Sequence, residues 1–333
     1  MIQLLKHLCV LSVFIWASCQ QNTNDNAAKA LVDTVLQHET LVASEIELKK
    51  LDEHFTFIIS NDNGKNGYYD QKVIAEAMGE TVNIVDAKFM AALGDVHHYL
   101  GVGSVNDPLW LTNYEWVYSH PELLIPWFPI LGNHEYQGNT DAVIAYSAIS
   151  SRWQMPGRYY TKTYEVTDST SVLLVFIDTS PLITKYRVSD KHPDARKQSD
   201  VNQLKWIENV LQQSTAKWKI VMGHHPIYAG TTKDGSERED LQNRLLPMLE
   251  KYRVDAYYCG HIHNFQHIKP GSSSIDFFVN SSASQSRKVV PFDGSVFTSA
   301  ASGFALCSLN DTVLVTTLID KNGKILYQYP RKK

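Results

Sequence analysis

Side chains that commonly bind metal ions follow five short apolar runs of this chain. Aspartate, asparagine and histidine occur at these junctions, most of them beside a glycine. Carboxylate, amide and imidazole groups together suit iron, zinc or manganese, whereas calcium prefers oxygen alone and structural zinc usually recruits cysteine. The residues concerned are Asp62, Asp95, Asn133 with His134 and Glu135, His224, and His261 with His263. The pattern therefore predicts a metal centre.

Asp95, in the segment LGDVHHY, is the candidate for a ligand shared by two ions. A dinuclear centre needs one shared ligand, and an aspartate can bridge two ions where a histidine cannot. His97 and His98 follow directly behind Asp95. A lone histidine is more often a surface or core residue than a ligand, so these residues alone leave open which of the two belongs to the site.

The elements that must position these side chains alternate between short apolar runs and amphipathic helical patterns. FTFIIS, AKFMAAL, WFPIL, SVLLVFID, KWKIVM and VDAYYC are predicted strands. Helical spacing occurs in QKVIAEAMGETV, DAVIAYSAISSRW, SDVNQLKWIENVLQQ and REDLQNRLLPMLEKY, with Ser199 or Asp200 as an N-cap of the third. This alternation predicts an α/β core, in which loops at strand ends converge on one crevice.

The C-terminal part has a different pattern, because its strands have no helices between them. IDFFVN, GFALCSL, TVLVTTLID and KILYQY are predicted strands, and KNGK is a predicted hairpin turn. The simplest packing of all these elements places helices on the outer faces of the sheets.

Composition limits the classes of partner. The 333 residues are 44% hydrophobic and 20% charged, with a formal net charge of -4. This balance gives no general attraction to nucleic acid, and we find no nucleic-acid-binding motif, so we expect no nucleic-acid partner. The apolar setting of Cys259 favours a buried free thiol, with a single bridge to Cys307 as the alternative. The sequence makes no prediction of the oligomeric state.

The N-terminus has the pattern of an export signal. One lysine, the apolar stretch 8–16 and small residues precede Cys19, and a polar run follows. The pattern resembles a bacterial lipoprotein signal, which predicts a signal peptide at residues 1–18, acylation of Cys19 and a lipid-anchored periplasmic or outer-membrane protein. Ordinary cleavage near Ser18 is the alternative. Residues 19–54 are predicted to be a tether and lead-in segment, and residues 55–333 a catalytic domain.

The motifs GD, GNHE, GHHP and GHIH, in this order, resemble those of the calcineurin-like metallophosphoesterases. Within that family the chain is most similar to the small purple, tartrate-resistant acid phosphatases. The similarity extends from about Phe55 to the C-terminus and includes GNTDAVIAYSAISSRW, NQLKWIENVLQQ and SGFALCSL. It implies a layered α/β/β/α sandwich of two mixed sheets flanked by helices.

The resemblance also implies a set of ligands for two ions. Asp62, Asp95 and His263 would hold the first ion, and Asp95, Asn133, His224 and His261 the second. The family has an iron-binding tyrosine three positions after the bridging aspartate, where this chain has His98. His98 is therefore the better ligand candidate, and His97 should point elsewhere.

Replacing an anionic phenolate by a neutral imidazole should weaken the preference for ferric iron. We therefore expect a colourless or weakly coloured protein that accepts two divalent ions.

The resemblance implies hydrolysis of phosphomonoesters by a hydroxide that two metal ions activate. His134 resembles the family's histidine that steadies the transition state or protonates the leaving group, and Glu135 is expected to orient it. A further family histidine is replaced by Lys233, within the run KDGSERED, which is otherwise expected to be a solvated loop and helix start. His225 stays off the ligand set.

The leading function is an exported acid phosphatase acting on a small phosphorylated substrate. The alternatives are a phosphodiesterase or nucleotidase with the same site, or a surface lipoprotein that only binds phosphate or metal. A panel of phosphoesters separates these three functions.

Overall fold

The computed structural model describes residues 29–30, 33–34, 36–271 and 273–333. The predicted signal peptide and the acylation site at Cys19 lie outside the described residues. Residues 36–49 are helical. The chain divides into two compact units, Met1–Glu47 and Leu48–Lys333, with the boundary inside the predicted lead-in segment. None of the described helices combines the length and apolar character needed to cross a membrane.

Two mixed sheets make up the core of the second unit. In chain order the strands are β1 (Phe55–Ser60), β2 (Met90–Ala92), β3 (Trp127–Pro129), β4 (Tyr160–Thr167), β5 (Thr170–Phe176), β6 (Trp218–Met222), β7 (Ala256–Cys259), β8 (Phe265–Ile268), β9 (Asp276–Val279), β10 (Ser295–Ser299), β11 (Gly303–Leu309), β12 (Val313–Asp320) and β13 (Ile325–Lys332). One sheet has the order β13-β12-β11-β1-β2-β3 and the other β10-β8-β9-β7-β6-β5-β4. The strands β1-β2-β3 are parallel to one another, as are β5-β6-β7-β9.

Helices flank the two sheets, as the resemblance implies. They are α1 (Gln71–Val85), α2 (Thr140–Ala145), α3 (Thr184–Arg187), α4 (Asp200–Gln213), α5 (Ser236–Arg244) and α6 (Leu246–Lys251). Single-turn 3₁₀ segments occupy Pro121–Leu123, Glu135–Gln137, Tyr146–Ala148, Ser180–Leu182 and Ala195–Lys197, and a π-helical turn occupies Leu111–Glu115.

The two sheets face each other across a shared core. The central strands are buried on both faces; Phe57, Ile58 and Ile59 of β1 have no exposed surface. This double burial explains why the middle of β1, residues 57–59, is apolar on both faces. The hydroxyl of Tyr258 in β7 and that of Thr316 in β12 lie 2.5 Å apart, which joins the sheets by a buried hydrogen bond.

Most predicted elements are confirmed. The Ser199 hydroxyl accepts a hydrogen bond from the backbone N–H of Asn202 and caps α4. The KNGK segment forms the hairpin turn between β12 and β13, with Gly323 at a φ of 81°. The helix predicted in DAVIAYSAISSRW is shorter, since α2 ends at Ala145 and a 3₁₀ turn follows. Strands β4, β8 and β10 were not predicted.

The parallel strands of each sheet end at the same level, which places the five junctions together. The backbone N–H of Leu93 after β2 donates to the carbonyl of Ser60 at 2.7 Å, and that of Asp62 donates to Gly94 at 3.0 Å. In the other sheet, Gly260 donates to the carbonyl of His224 at 3.0 Å. The junctions therefore form one edge, as ligand sites in α/β sheets do.

Candidate metal centre

Sharp backbone turns deliver the predicted ligands to the site. Asp62, Asp95, His261 and His263 have φ values of 51°, 54°, 69° and 62°. Left-handed backbone is unfavourable for residues other than glycine and is common at functional sites. Position 132, next to the predicted ligand Asn133, requires glycine, because a Cβ there would lie 2.2 Å from Oδ1 of Asp95.

Asp62, His98 and His263 form one cluster of buried ligand atoms. The Nδ1 atom of His263 lies 2.8 Å from the carbonyl oxygen of Gln285, and because a carbonyl can only accept, Nδ1 carries the proton. The Nε2 atom is therefore left facing the site, and it lies 2.9 Å from Oδ1 of Asp62. At that separation either a proton on Nε2 or a metal ion satisfies both atoms, and a metal ion would bind Nε2 of the neutral ring.

The same arrangement recurs at His224 and Asp95. The Nδ1 atom of His224 lies 2.8 Å from the carbonyl oxygen of Leu93, so its proton is held there. Its Nε2 atom lies 3.2 Å from Oδ2 of Asp95. That carboxylate oxygen is also 3.7 Å from Nε2 of His98. Asp95 thus lies between the two histidines, in the position that a bridging ligand would occupy.

The donor set fits metal ions, because several buried donor atoms are unsatisfied. Among the described residues, no hydrogen-bond partner is present for Oδ1 of Asp62, Oδ1 of Asn133, Nε2 of His224 or either ring nitrogen of His98. Buried polar atoms are normally hydrogen-bonded, and an unmet group points to a missing ion or water. The two buried cysteines are free thiols, and Cys259 contacts the carbonyl of Phe278 instead.

Burial keeps the imidazoles of His98 and His261 neutral, which metal binding requires. It lowers the pKa of His98 to about 3 and the pKa of His261 to about 4. Burial acts in the same direction on His224, but the adjacent Asp95 carboxylate outweighs it and raises the pKa of His224 to about 9. His263 likewise holds the pKa of Asp62 well below its usual range despite burial. The site therefore favours a positive charge between these groups.

The two adjacent histidines of LGDVHHY point in different directions. The His97 ring packs edge-on against Trp110, with ring centroids 4.3 Å apart, and its Nδ1 lies 3.4 Å from Nδ2 of Asn113. The His98 ring lies beside His134 and His263, with centroid distances of 4.3 and 5.8 Å. The expectation that His97 points away from the site is confirmed, and His98 is brought to the ligand cluster.

His134 lies at the edge of the cluster, with its Nε2 atom 3.9 Å from Oδ2 of Asp95. Its Nδ1 atom lies 2.5 Å from the carbonyl oxygen of Tyr99, which fixes the orientation of the ring. The expected contact with Glu135 is wrong. The buried Glu135 carboxylate accepts hydrogen bonds from the backbone N–H groups of Asp95, Gly132 and His97 at 2.8, 2.8 and 3.1 Å. It supports the loops that carry the ligands, and the carbonyl of Tyr99 orients the imidazole.

Glu237 is a site residue that the sequence reasoning missed. Its Oε2 atom lies 3.0 Å from Nε2 of His261, so a metal ion would use the Nδ1 atom of that ring. Oε1 accepts hydrogen bonds from Lys185 and Tyr186. The run KDGSERED is therefore not wholly solvated, because Glu237 is buried.

Lys233, expected to replace a family histidine, also contacts His261. Its ammonium lies 2.9 Å from Nε2 and 3.0 Å from the carbonyl oxygen of His261. Burial lowers the pKa of Lys233 to about 8. Lys233, Asn133 and His261 line the same cavity of about 350 Å³, where Lys185 adds a second cation. This side of the site is suited to binding an anion.

His225 lies closer to the ligands than expected. Its ring centroid is 4.8 Å from that of His224 and 4.5 Å from that of His261. The Nδ1 atom is held by the Thr179 hydroxyl at 2.8 Å, while Nε2 is buried with no partner among the described residues. The residues around GHHP do not predict the position of His225, because that position depends on the backbone path of the loop.

Comparison with known proteins agrees with this geometry. The model of the calcineurin-like phosphoesterase family matches residues 55–265. Purple acid phosphatase 3 of Arabidopsis thaliana is 30% identical over 300 residues, which cover 86% of this chain and 80% of that protein. Tartrate-resistant acid phosphatase type 5 of Sus scrofa is 31% identical over 272 residues, covering 76% of this chain and 78% of that protein.

Solved structures share the fold. GAP50, described as the anchor in the inner membrane complex of Plasmodium, superposes with a TM-score of 0.71 at 24% identity, covering 84% of this chain and 89% of that chain. Together, the two mixed sheets, the convergent histidine and aspartate clusters, and the extent of the sequence identity show that this chain belongs to the calcineurin-like phosphoesterases, and within them to the purple acid phosphatases.

Proposed function

We propose that this protein is an exported, metal-dependent acid phosphatase that hydrolyses phosphomonoesters. The observation that carries the proposal is the convergence of buried ligand atoms of Asp62, His263, Asp95 and His224, 2.9 and 3.2 Å apart in pairs, with His134 at their edge. A purely structural cluster would satisfy all its buried polar atoms internally, whereas Oδ1 of Asn133 and both ring nitrogens of His98 have no hydrogen-bond partner among the described residues. The family membership supports the same activity.

The residues divide into two ligand groups that share Asp95. Asp62, His98 and His263 would hold one ion, and Asn133, His224 and His261 the other. Two ions in such a site activate water for attack at phosphorus and neutralise charge on the phosphate oxygens. Iron, zinc and manganese all suit this combination of oxygen and nitrogen ligands.

His134 supplies the proton that the leaving group needs. Because its Nδ1–H donates to the Tyr99 carbonyl, a proton on Nε2 of the imidazolium faces the ligand cluster. The ring is partly exposed, so a phosphoester can reach it from solvent. A histidine in this position acts as a general acid toward the departing oxygen.

Elemental analysis and hydrolysis of p-nitrophenyl phosphate by the purified full-length protein test the proposal. We expect two metal ions per chain and activity. Hydrolysis of bis(p-nitrophenyl) phosphate in preference to p-nitrophenyl phosphate would assign the same site to a diesterase, and a preference for AMP over p-nitrophenyl phosphate would assign it to a nucleotidase. A metal-replete protein that hydrolyses none of these substrates would contradict the enzymatic proposal and support a binding protein.

We further propose that export ends in acylation of Cys19. Small residues before the cysteine and the polar run after it support this step. Growth with radiolabelled palmitate should label the wild-type protein, whereas Cys19→Ala should be unlabelled and released from the membrane fraction. Equal labelling of both proteins, or release of both, would contradict the anchor.

A further inference from the structure

A second cavity of about 420 Å³ opens beside the candidate metal centre, on the His98 side. Lys65, Asn66, Tyr68, Tyr69 and Tyr99 line it together with His98. It differs in character from the cavity that contains Lys185 and Lys233, because three of its six lining residues are tyrosines. A pocket with one wall in the catalytic centre and aromatic side chains on the others has the composition of a ligand subsite.

The three tyrosines are unusually exposed. The exposed fractions of Tyr68, Tyr69 and Tyr99 are 72%, 62% and 61%. Tyrosine normally buries most of its ring, and exposed aromatic groups clustered beside a cavity commonly mark a binding surface. Their grouping beside His98 therefore indicates a binding surface for a molecule with an apolar, planar face.

The loop that carries Tyr68 and Tyr69 is fixed by hydrogen bonds. The Gln71 side chain accepts from the backbone N–H groups of Lys65 and Gly67 at 3.0 and 2.8 Å. The backbone N–H of Asn66 donates to Oδ1 of Asn113 at 2.6 Å. The tyrosines are thus presented on a braced loop, which reduces the entropy that binding would cost.

Tyr99 connects this cavity to the chemistry. The Lys65 ammonium lies 3.9 Å from the centroid of the Tyr99 ring, a cation–π contact that restrains the ring. The same ring lies 5.9 Å from His98 and 6.3 Å from His134, measured between centroids. The group that leaves during hydrolysis must approach His134, and Tyr99 is the aromatic surface beside that histidine.

We propose that this cavity is the leaving-group subsite and that it selects phosphomonoesters whose alcohol part contains a planar aromatic ring. The inference rests on the proposed phosphatase function. Water adds its oxygen to phosphorus and releases one proton to solvent. The bond between phosphorus and the ester oxygen breaks with its electron pair on that oxygen, which takes the proton from Nε2 of His134, and solvent then returns a proton to His134. The aromatic alcohol is released from the tyrosine cavity, and inorganic phosphate remains between the ligand residues and the lysine cavity.

Kinetics on the full-length, metal-loaded protein test the subsite. The variants are Tyr68→Leu, Tyr69→Leu and the double variant, because leucine keeps apolar area and removes the ring. Trp116→Leu is the control, since Trp116 is 65% exposed and does not line the cavity. Losses of about 3- to 10-fold in kcat/KM for phenyl phosphate are expected, as for removal of an aromatic contact. Each tyrosine variant should lose less activity toward 2-glycerophosphate than toward phenyl phosphate, and Trp116→Leu should hydrolyse both substrates as the wild type does.

Binding of non-hydrolysable ligands provides a readout that does not depend on turnover. By calorimetry, phenylphosphonate should bind the wild type more tightly than methylphosphonate, and the double variant should lose that preference. In a parallel assay, the wild type and the double variant are compared for hydrolysis of AMP and of phenyl phosphate. A preference of the wild type for AMP that the double variant loses would identify the aromatic ring of the natural substrate as a nucleobase. Equal effects of the tyrosine variants on aromatic and aliphatic ligands would overturn the subsite while leaving the phosphatase proposal intact.

Failure of the proposed function gives a different pattern. In that case no phosphomonoester is hydrolysed, while calorimetry still decides whether the aromatic ligand prefers the cavity. A protein that hydrolyses both substrates but binds the two phosphonates equally contradicts the subsite alone.

Discussion

Nε2 of His261 lies 3.0 Å from Oε2 of Glu237, a buried carboxylate on the first turn of α5. Lys185 and Tyr186 donate hydrogen bonds to the other carboxylate oxygen, so both oxygens of Glu237 are held in place. A carboxylate in this position orients the imidazole and raises its basicity toward a metal ion on the opposite nitrogen. Glu237 is thus a positioning residue for a candidate ligand, contributed by a helix outside the five strand junctions.

Glu237→Gln should weaken metal binding. The amide keeps a hydrogen-bonding group near His261 but removes the charge, and loss of such a partner typically costs about 10- to 100-fold in metal affinity. Titration of the apo-protein with zinc or manganese measures the change. Glu239→Gln is the matched control, because Glu239 lies on the same helix and is exposed. Equal affinities of the two variants would contradict the role given to Glu237.

His98→Tyr should give the iron-loaded protein a visible absorption band. A phenolate bound to ferric iron absorbs in the visible range, whereas the imidazole of the wild type should leave the protein colourless or weakly coloured. The measurement is a visible spectrum of iron-loaded protein with the metal content determined in parallel. His97→Gln serves as the control, since His97 packs against Trp110. A purple wild-type protein would show that another residue supplies the phenolate.

His134→Ala and Asp95→Asn should separate catalysis from metal binding. Removing a general acid lowers kcat by about 10²- to 10⁴-fold, and His134→Ala should keep nearly its full metal content. Asp95→Asn removes the shared carboxylate and should lose bound metal together with activity. Steady-state kinetics and elemental analysis on the same preparations give both quantities. If both variants keep full activity, the assignment of the site is wrong.

Asp178→Asn should change the pH dependence of stability. Burial outweighs the hydrogen bond from Tyr136 and raises the pKa of Asp178 from 3.8 to about 7. The folded state therefore binds a proton more tightly than the unfolded state. This contribution to stability is fully present below pH 3.8 and falls by about 1.4 kcal/mol per pH unit as the pH rises toward 7.

Denaturant unfolding of wild type and Asp178→Asn at several pH values between 5 and 8 measures that dependence. The variant should gain stability relative to the wild type as the pH rises toward 7. Asp190→Asn is the control, because Asp190 is exposed and pairs only with Arg196 at 2.7 Å among its described contacts. Parallel stability curves for wild type and Asp178→Asn would rule out a titrating carboxyl at this position.

The sequence predicts most of the strands and the candidate ligands that follow them, because both depend on local pattern. A buried parallel strand is mostly apolar, and the cluster of polar residues that follows it marks the edge where a site can form, as at Asp62 after β1. Strand β4 is not predicted, because it lacks the apolar run by which the other strands are recognised. YTKTYEVT at the edge of its sheet has only one fully buried position, Tyr160, so no apolar run reveals it.

The long-range contacts could not be predicted from local pattern. Glu237 is one of six charged residues in KDGSERED, and only the position of α5 against His261 separates it from the other five. Glu135 immediately follows His134, yet its side chain turns toward the backbone of Asp95. The tyrosine cavity likewise depends on the loop at 65–69 meeting Tyr99, which lies thirty positions farther along the chain.

The candidate ligands come from both sheets of the sandwich. Asp62, Asp95, His98 and Asn133 follow strands of the first sheet, and His224, His261 and His263 follow strands of the second. Ions held there would act as a cross-link between two layers that are otherwise joined by loops, core packing and hydrogen bonds such as that between Tyr258 and Thr316. Metal loading and resistance to unfolding are then thermodynamically linked, so that chelation would lower the free energy of unfolding of the whole sandwich.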